Sequence, residues 1–211
     1  MDGVLVDSEP LHIHVAHEVL APAGLEYTEA TNQEFLGRPV AEMLETLVRR
    51  HGLPGRASEY AARYDALLMR LLAQPRPARE GVVWLITELR RRGCPLGIAS
   101  SSKQAWVLAM LRSLDLSGRF DAVVGGDMVA RSKPAPDIYL LAAERLQVAP
   151  ARCIAVEDSP AGVQAARDAG MTVIASLTPE VDPGRLRGAH RLIGSLLEFP
   201  LDLLETPSRT A

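Results

Sequence analysis

The sequence has little cysteine, no long apolar run and no surplus of positive charge, and each shortage closes off a class of protein. Two cysteines, Cys94 and Cys153, in 211 residues are too few for a disulfide framework. Each stands at the start of an apolar run that reads as a strand, so both are expected to be small buried hydrophobes in a reducing compartment. No stretch approaches the roughly 20 apolar residues of a membrane span. Asp2 and Asp7 interrupt the opening where a secretory leader would need an apolar run. The expected location is the cytoplasm. A formal net charge of −3 leaves no basic footprint for nucleic acid. The basic run Arg90-Arg91-Arg92, just before Gly93, reads as a helix C-terminus, where cations complement the helix dipole. There is no internal repeat and no low-complexity tract.

What is present is an ordinary globular balance, 47% hydrophobic and 23% charged. Met1 to Asp7 reads as the end of a strand entering a turn. Ser8 then suits a helix cap, with Pro10 in the first turn, where a missing N–H costs little. Apolar residues follow at helical spacing, first Leu11, Val15 and Val19, then Leu44, Leu47 and Val48, then Leu67, Leu68, Leu71 and Leu72. Pro75 and Pro77 mark a linker. Beyond it, helices over 81–92, 102–114, 136–146 and 159–169 alternate with short strands at 94–99, 122–124, 153–156, 172–175 and 191–193. That alternation specifies a parallel sheet. The expected fold class is α/β, a Rossmann-like doubly wound core built from residues 1–9 and 78–211, with an all-helical domain inserted at 10–77. The tail reads as partly disordered after Leu204.

Ligands of such sheets bind beyond the carboxyl ends of the strands, so the polar residues there carry the weight. They are Asp2 before Gly3, Ser100 followed by Ser101, Ser102 and Lys103, Ser132-Lys133-Pro134, and Glu157-Asp158-Ser159. Carboxylates, hydroxyls and an ammonium suit a phosphate group with Mg2+. Hard oxygens hold the metal; hydroxyl, N–H and ammonium groups hold phosphoryl oxygens. Singly, each has a plain structural explanation. Ser100 would cap a helix, Lys133 would be solvated, and Glu157-Asp158 would place negative charge at a helix N-terminus.

In order, Met1-Asp-Gly-Val-Leu-Val-Asp-Ser-Glu-Pro-Leu-His12, Ile98-Ala-Ser-Ser-Ser-Lys103, Ser132-Lys-Pro-Ala-Pro-Asp137 and Val156-Glu-Asp-Ser-Pro-Ala-Gly162 resemble the four motifs of the haloacid dehalogenase superfamily. The similar subgroup contains β-phosphoglucomutase and small sugar-phosphate phosphatases, whose helical insert acts as a cap. The resemblance implies Mg2+-dependent phosphoryl transfer through an aspartyl-phosphate on a small phosphorylated metabolite, by a monomer with no nucleic-acid or membrane partner. It makes Asp2 the general acid/base, Ser100 a phosphoryl-binding group, and Lys133 the cation that holds the charges together. Asp158 and the Asp2 carbonyl become metal ligands, with Glu157 a ligand or its neighbour. Ser101, Arg38 and His12 fall to substrate binding or positioning. Arg38 belongs to an expected substrate loop near Phe35–Pro39, and His12 lies near the hinge. His14 and His17 lack the spacing of a helical metal pair and read as surface residues. β-Phosphoglucomutase carries an arginine a little further along that loop. Val40 stands there in this sequence, which favours hydrolysis over a mutase.

One departure accompanies the resemblance. The family's attacking Asp stands two residues before Asp2, a position the sequence does not include, and an apolar central strand leads into it. The expectation is a polypeptide that extends upstream and is active; the rival is a non-catalytic phospho-metabolite-binding relative. Without that strand, a hydrophobic gap and unpaired backbone groups are expected in its neighbours.

Overall fold

The computed structural model describes residues 1–35, 38–179 and 181–204; the tail beyond Leu204 and its expected disorder lie outside them. Helices come first: α1 (Glu9–Leu20), α2 (Glu29–Phe35), α3 (Val40–His51) and α4 (Ala57–Leu71). Their apolar residues recur every three or four positions, so each buries one face. Val15, Val19 and Leu20 are buried on α1, Leu44 and Leu47 on α3, and Tyr60, Tyr64 and Leu68 on α4. Both α1 and α3 pack on α4. Gly52 ends α3 in the left-handed region at φ 59°, a conformation glycine adopts without a Cβ penalty.

Helices and strands then alternate: α5 (Val82–Arg91), β1 (Gly97–Ala99), α6 (Gln104–Ser113), β2 (Ala122–Val124), α7 (Asp137–Leu146), β3 (Ile154–Glu157), α8 (Pro160–Asp168), β4 (Thr172–Ser176) and β5 (Arg191–Ile193). All strand pairs are parallel, as the alternation requires. β1 is shorter than expected because Cys94, Pro95 and Leu96 stay outside it, and proline cannot donate to a ladder. Both cysteines are half-buried, not buried as expected, since each precedes its strand instead of lying in it.

The sheet is in two pieces. β1 pairs with β2, and β3 pairs with β4, which pairs with β5. Between β1 and β3 lies a cavity of about 770 Å³, lined by both strands, by Met1 and Leu5, and by residues of α5 and α7. The expected hydrophobic gap is therefore present.

The opening residues form a turn, not the expected strand end. Leu5 N donates to Met1 O at 2.8 Å and Gly3 N to Val6 O at 2.9 Å, leaving one isolated parallel bridge between Asp2 and Val6. The Arg90–Arg92 run does end a helix: Arg90 meets Asp121, and Arg91 and Arg92 both meet Glu88. Among the described residues, no helix is long and apolar enough to cross a membrane.

Candidate active site

The turn at Met1–Val6 brings Asp2 to the carboxyl ends of the strands. Ser8 Oγ donates to Asp2 Oδ1 at 2.7 Å, and Ser102 Oγ and Ser100 Oγ approach Oδ2 at 3.2 and 3.4 Å. Ser100 is placed by β1, since its N–H continues the ladder to Val124 O at 3.0 Å. Its hydroxyl also accepts from Ser102 N at 3.2 Å. Burial opposes ionisation of Asp2, but the Met1 ammonium, His12 and the hydroxyls of Ser8 and Ser102 outweigh it and hold the carboxyl below its usual range. Ser8 does occupy the cap position of α1, yet it makes no cap hydrogen bond; its hydroxyl serves Asp2 instead.

Lys133 spans the gap between the two sheets. Its ammonium donates to Ala99 O at 3.1 Å, at the end of β1, and pairs with Glu157, at the end of β3. Tyr139 on α7 also donates to Glu157. The other Glu157 oxygen takes Ser159 Oγ at 3.1 Å and Asp158 N at 3.2 Å. Glu157 is thus fully engaged. Burial disfavours its charge, but Lys133, the Met1 ammonium and Tyr139 prevail and hold it down to about 2. The Tyr139 hydroxyl is pushed up by burial and by the Glu157 charge. Gly162 in the first turn of α8 makes room for this carboxylate, because a Cβ there would lie 2.0 Å from Glu157 Oε2.

Asp158 is left without those donors. It lies against the turn of the opening segment, where a Cβ on Gly3 would come within 1.8 Å of its Oδ2. Burial, then the charge of Glu157, push its carboxyl up to about 7. A carboxylate so reluctant to ionise, beside Asp2, is a natural partner for a cation. Among the described residues, no three His, Cys, Asp or Glu side chains are grouped to hold a metal, and Glu157 is engaged by Lys133 and Tyr139. Mg2+ nevertheless needs only one or two carboxylates when waters and substrate phosphate complete its shell. Asp158, with the backbone oxygens of the Asp2 turn, fits that requirement.

The helical layer reaches the same rim. His12 Nδ1 lies 2.6 Å from Tyr64 OH, and both rings pack near Trp106. Lys103 Nζ meets Asp65 of α4 at 2.6 Å and covers Trp106. Not every expected residue joins. Ser101 is exposed. Arg38 is exposed and pairs with Glu42 at 3.3 Å, one helical turn on. Leu36 and Gly37 of the expected substrate loop lie outside the described residues. His14 is exposed, as expected.

Sequence reasoning missed Ser8, Tyr139 and Arg79. Ser8 was hidden by its cap position and Tyr139 by its place in an amphipathic helix. Arg79, in the linker, donates to the carbonyls of Gly3 and Leu177, and nothing in its spacing signals that.

A sequence profile described as haloacid dehalogenase-like hydrolase matches residues 1–176. The chain belongs to the haloacid dehalogenase-like hydrolases. A phosphorylated carbohydrates phosphatase of Thermotoga maritima is 34% identical to this hydrolase over 185 residues, covering 88% of the chain and 86% of the relative. The fructose-1-phosphate phosphatase YqaB of Escherichia coli is 33% identical, over 82% of the chain and 92% of its own length. Among solved structures, CbbY from Rhodobacter sphaeroides in complex with phosphate superposes with a TM-score of 0.89 at 30% identity, covering 98% of this chain and 96% of that one. The expected superfamily and α/β fold are both confirmed.

Proposed function

We propose that this hydrolase cleaves a small phosphomonoester, a sugar phosphate, in a Mg2+-dependent reaction through an aspartyl-phosphate. The observation that carries the reading is the meeting of Asp2, Ser100, Ser102, Lys133 and Asp158 at the strand ends. The relatives named as sugar-phosphate phosphatases support the substrate class.

The attacking carboxylate is assigned to the position two residues before Asp2. Asp2 protonates the leaving sugar oxygen, then takes the proton of the water that releases phosphate. Ser100 and Ser102 donate hydroxyls to phosphoryl oxygens, and Lys133 offsets their charge. Asp158 and the Asp2 carbonyl would hold Mg2+, with Glu157 beside it holding Lys133. When bound, the metal supplies positive charge against the developing phosphoryl charge. Residues 10–77 would act as a cap that excludes water, with His12 and Tyr64 above the Asp2 rim and Lys103–Asp65 joining helix to core. Arg38 and Ser101 would reach substrate only on closure. The working form is a cytoplasmic monomer.

The test measures phosphate release from a panel of sugar phosphates with Mg2+. It compares the 211-residue chain with one extended by an apolar strand ending in Asp two residues before Asp2. Release by the extended protein alone is expected. Isomerised glucose 1-phosphate would establish a mutase instead, and binding without turnover a non-catalytic relative.

A further inference from the structure

We propose that Arg79 is a positioning residue: it holds the turn that carries Asp2 against Asp158, and through that turn it sets the groups that would receive the cation. For the metal, the proposal rests on the reading above; for the turn, it rests on hydrogen bonds alone.

Arg79 lies where the chain leaves the Pro75–Pro77 linker and enters α5. Its backbone is fixed on both sides. Arg76 N donates to Ser113 O at 2.9 Å, which ties the linker to the end of α6, and Val82 N donates to Arg79 O at 3.2 Å, which opens α5. From this base Arg79 grips the opening turn twice. Its own N–H donates to Leu5 O at 2.8 Å, and its guanidinium donates to Gly3 O. The other terminal nitrogen donates to Leu177 O at 3.4 Å, one residue beyond β4. One side chain thus joins the linker, the Asp2 turn and the end of a core strand. Bonds from a guanidinium are charge-assisted and roughly twice as strong as those between neutral groups. Arg79 is half-buried, and among the described residues no carboxylate lies within ion-pair range of it. Its donors go to main-chain carbonyls, groups that need a partner where water is scarce.

The turn needs an outside hold. Its own bonds are Gly3 N to Val6 O at 2.9 Å and Leu5 N and Val4 N to Met1 O at 2.8 and 3.3 Å. Asp158 packs directly on its main chain, since a Cβ on Gly3 would lie 1.8 Å from Asp158 Oδ2. A small shift of Gly3 therefore changes the spacing between Asp158 and the Asp2 backbone. Arg79 also sorts the carbonyls. It engages Gly3 O and Leu5 O, whereas Asp2 O accepts no hydrogen bond among the described residues. The oxygen assigned to Mg2+ is the one Arg79 leaves open, and Arg79 holds the carbonyl next to it. Mg2+ demands near-ideal ligand geometry, so a loosened turn should bind it less well. Charge alone argues the other way. A guanidinium repels a nearby cation, and its removal would tighten binding. The sign of the effect separates the two roles.

The test uses the 211-residue chain with Arg79→Met, which keeps an apolar stem, and Arg79→Lys, which keeps the charge and one donor site. Three quantities are measured: Mg2+ affinity from the rise of the thermal midpoint with Mg2+, amide exchange at Gly3 and Leu5 against Ala155 and Val173 as references, and affinity for inorganic phosphate without Mg2+. Arg79→Met is expected to weaken Mg2+ binding by about tenfold or more and to speed exchange at Gly3 and Leu5 only. Arg79→Lys should restore part of both, and phosphate affinity should stay as in the parent. Should Arg79→Met fail to fold, the partial losses of Arg79→Lys carry the same comparison. Unchanged exchange at Gly3 and Leu5, or exchange that rises equally at Ala155 and Val173, would overturn the proposal. Faster exchange in the turn with unchanged or tighter Mg2+ binding would reduce Arg79 to a structural brace and overturn it too. Weaker phosphate binding would make Arg79 a phosphate ligand instead. A parent chain with no Mg2+ response would count against the metal in the proposed function, and the turn exchange would then decide for or against Arg79 by itself.

Discussion

Lys133 and Glu157 pair with both side chains out of solvent, 9% and 6% exposed, whereas every other recorded ion pair has at least one side chain 30% exposed or more. A buried pair is costly to break from one side, because the remaining charge has no solvent to turn to. Lys133→Met is therefore expected to lose about 3–5 kcal/mol in urea denaturation. Adding Glu157→Gln should recover part of that loss. A double variant as unstable as the sum of the two single ones would contradict the coupling.

Gly162→Ala sets two effects against each other. Alanine gains up to ~1 kcal/mol of helix propensity. Its Cβ meets Glu157 Oε2 at 2.0 Å, and overpacking typically costs about 1–3 kcal/mol. The carboxylate is pinned by Lys133 and Tyr139 and yields poorly, so net destabilisation is expected. A neutral or stabilising substitution, read by the urea midpoint, would show that Glu157 can move.

Two serines at helix starts should respond differently. Ser159 Oγ accepts from Gly162 N at 3.1 Å as a true cap, so Ser159→Ala should cost about 1 kcal/mol. Ser8 donates to Asp2 instead. Donation favours the charged carboxylate, so Ser8→Ala should raise the Asp2 pKa. With phosphate release by the upstream-extended version of the proposed test as the assay, the acid/base role proposed for Asp2 predicts that a limb of the pH–rate profile then moves to higher pH. An unshifted profile would remove Asp2 from the acid/base role or Ser8 from its control.

Acid stability has a definable contributor on the surface. Hydrogen bonds from Arg91 and Arg92 hold Glu88 down to about 2, against an ordinary value near 4.5. A depressed folded pKa stabilises above the unfolded value and is lost as pH falls through the folded one. Glu88→Gln should therefore flatten the fall of the thermal midpoint between about pH 4.5 and 2. A parent and variant with parallel curves would refute it.

Mg2+ should raise the thermal midpoint of the protein, since a ligand of the folded state alone stabilises by about 2.7 kcal/mol at a hundredfold excess over Kd. Asp158→Asn should abolish most of that rise, and Glu157→Gln should lower the basal midpoint more than the metal response. An undiminished response in Asp158→Asn would place the cation elsewhere.

Several parts of this molecule were legible in the chain because local chemistry sets them. The alternation of short apolar runs with amphipathic helices gave the α/β class and the five strands after Pro77 within a few residues, while the expected strand end at Met1–Asp7 is a turn; β1 came out shorter because Pro95 lacks an N–H. Asp2, Ser100, Lys133 and Asp158 meet on one rim, as the order of the strand ends along the chain led one to expect, because strand ends in parallel sheets converge there. Ser8 and Tyr139 were not legible. A serine before a helix looks the same whether it caps or serves a carboxylate six residues back, and a tyrosine on an apolar stripe looks the same whether or not its hydroxyl finds Glu157.

The sequence by itself determined the family, the element order and the residue types at the strand ends, since periodicity and motif order are local properties. Tertiary structure decided which donor each carboxylate receives. Glu157 takes Lys133 and Tyr139 and stays charged, while its neighbour Asp158 goes without and is driven up toward neutrality. Adjacent in the chain, the two differ because burial and charge act through space.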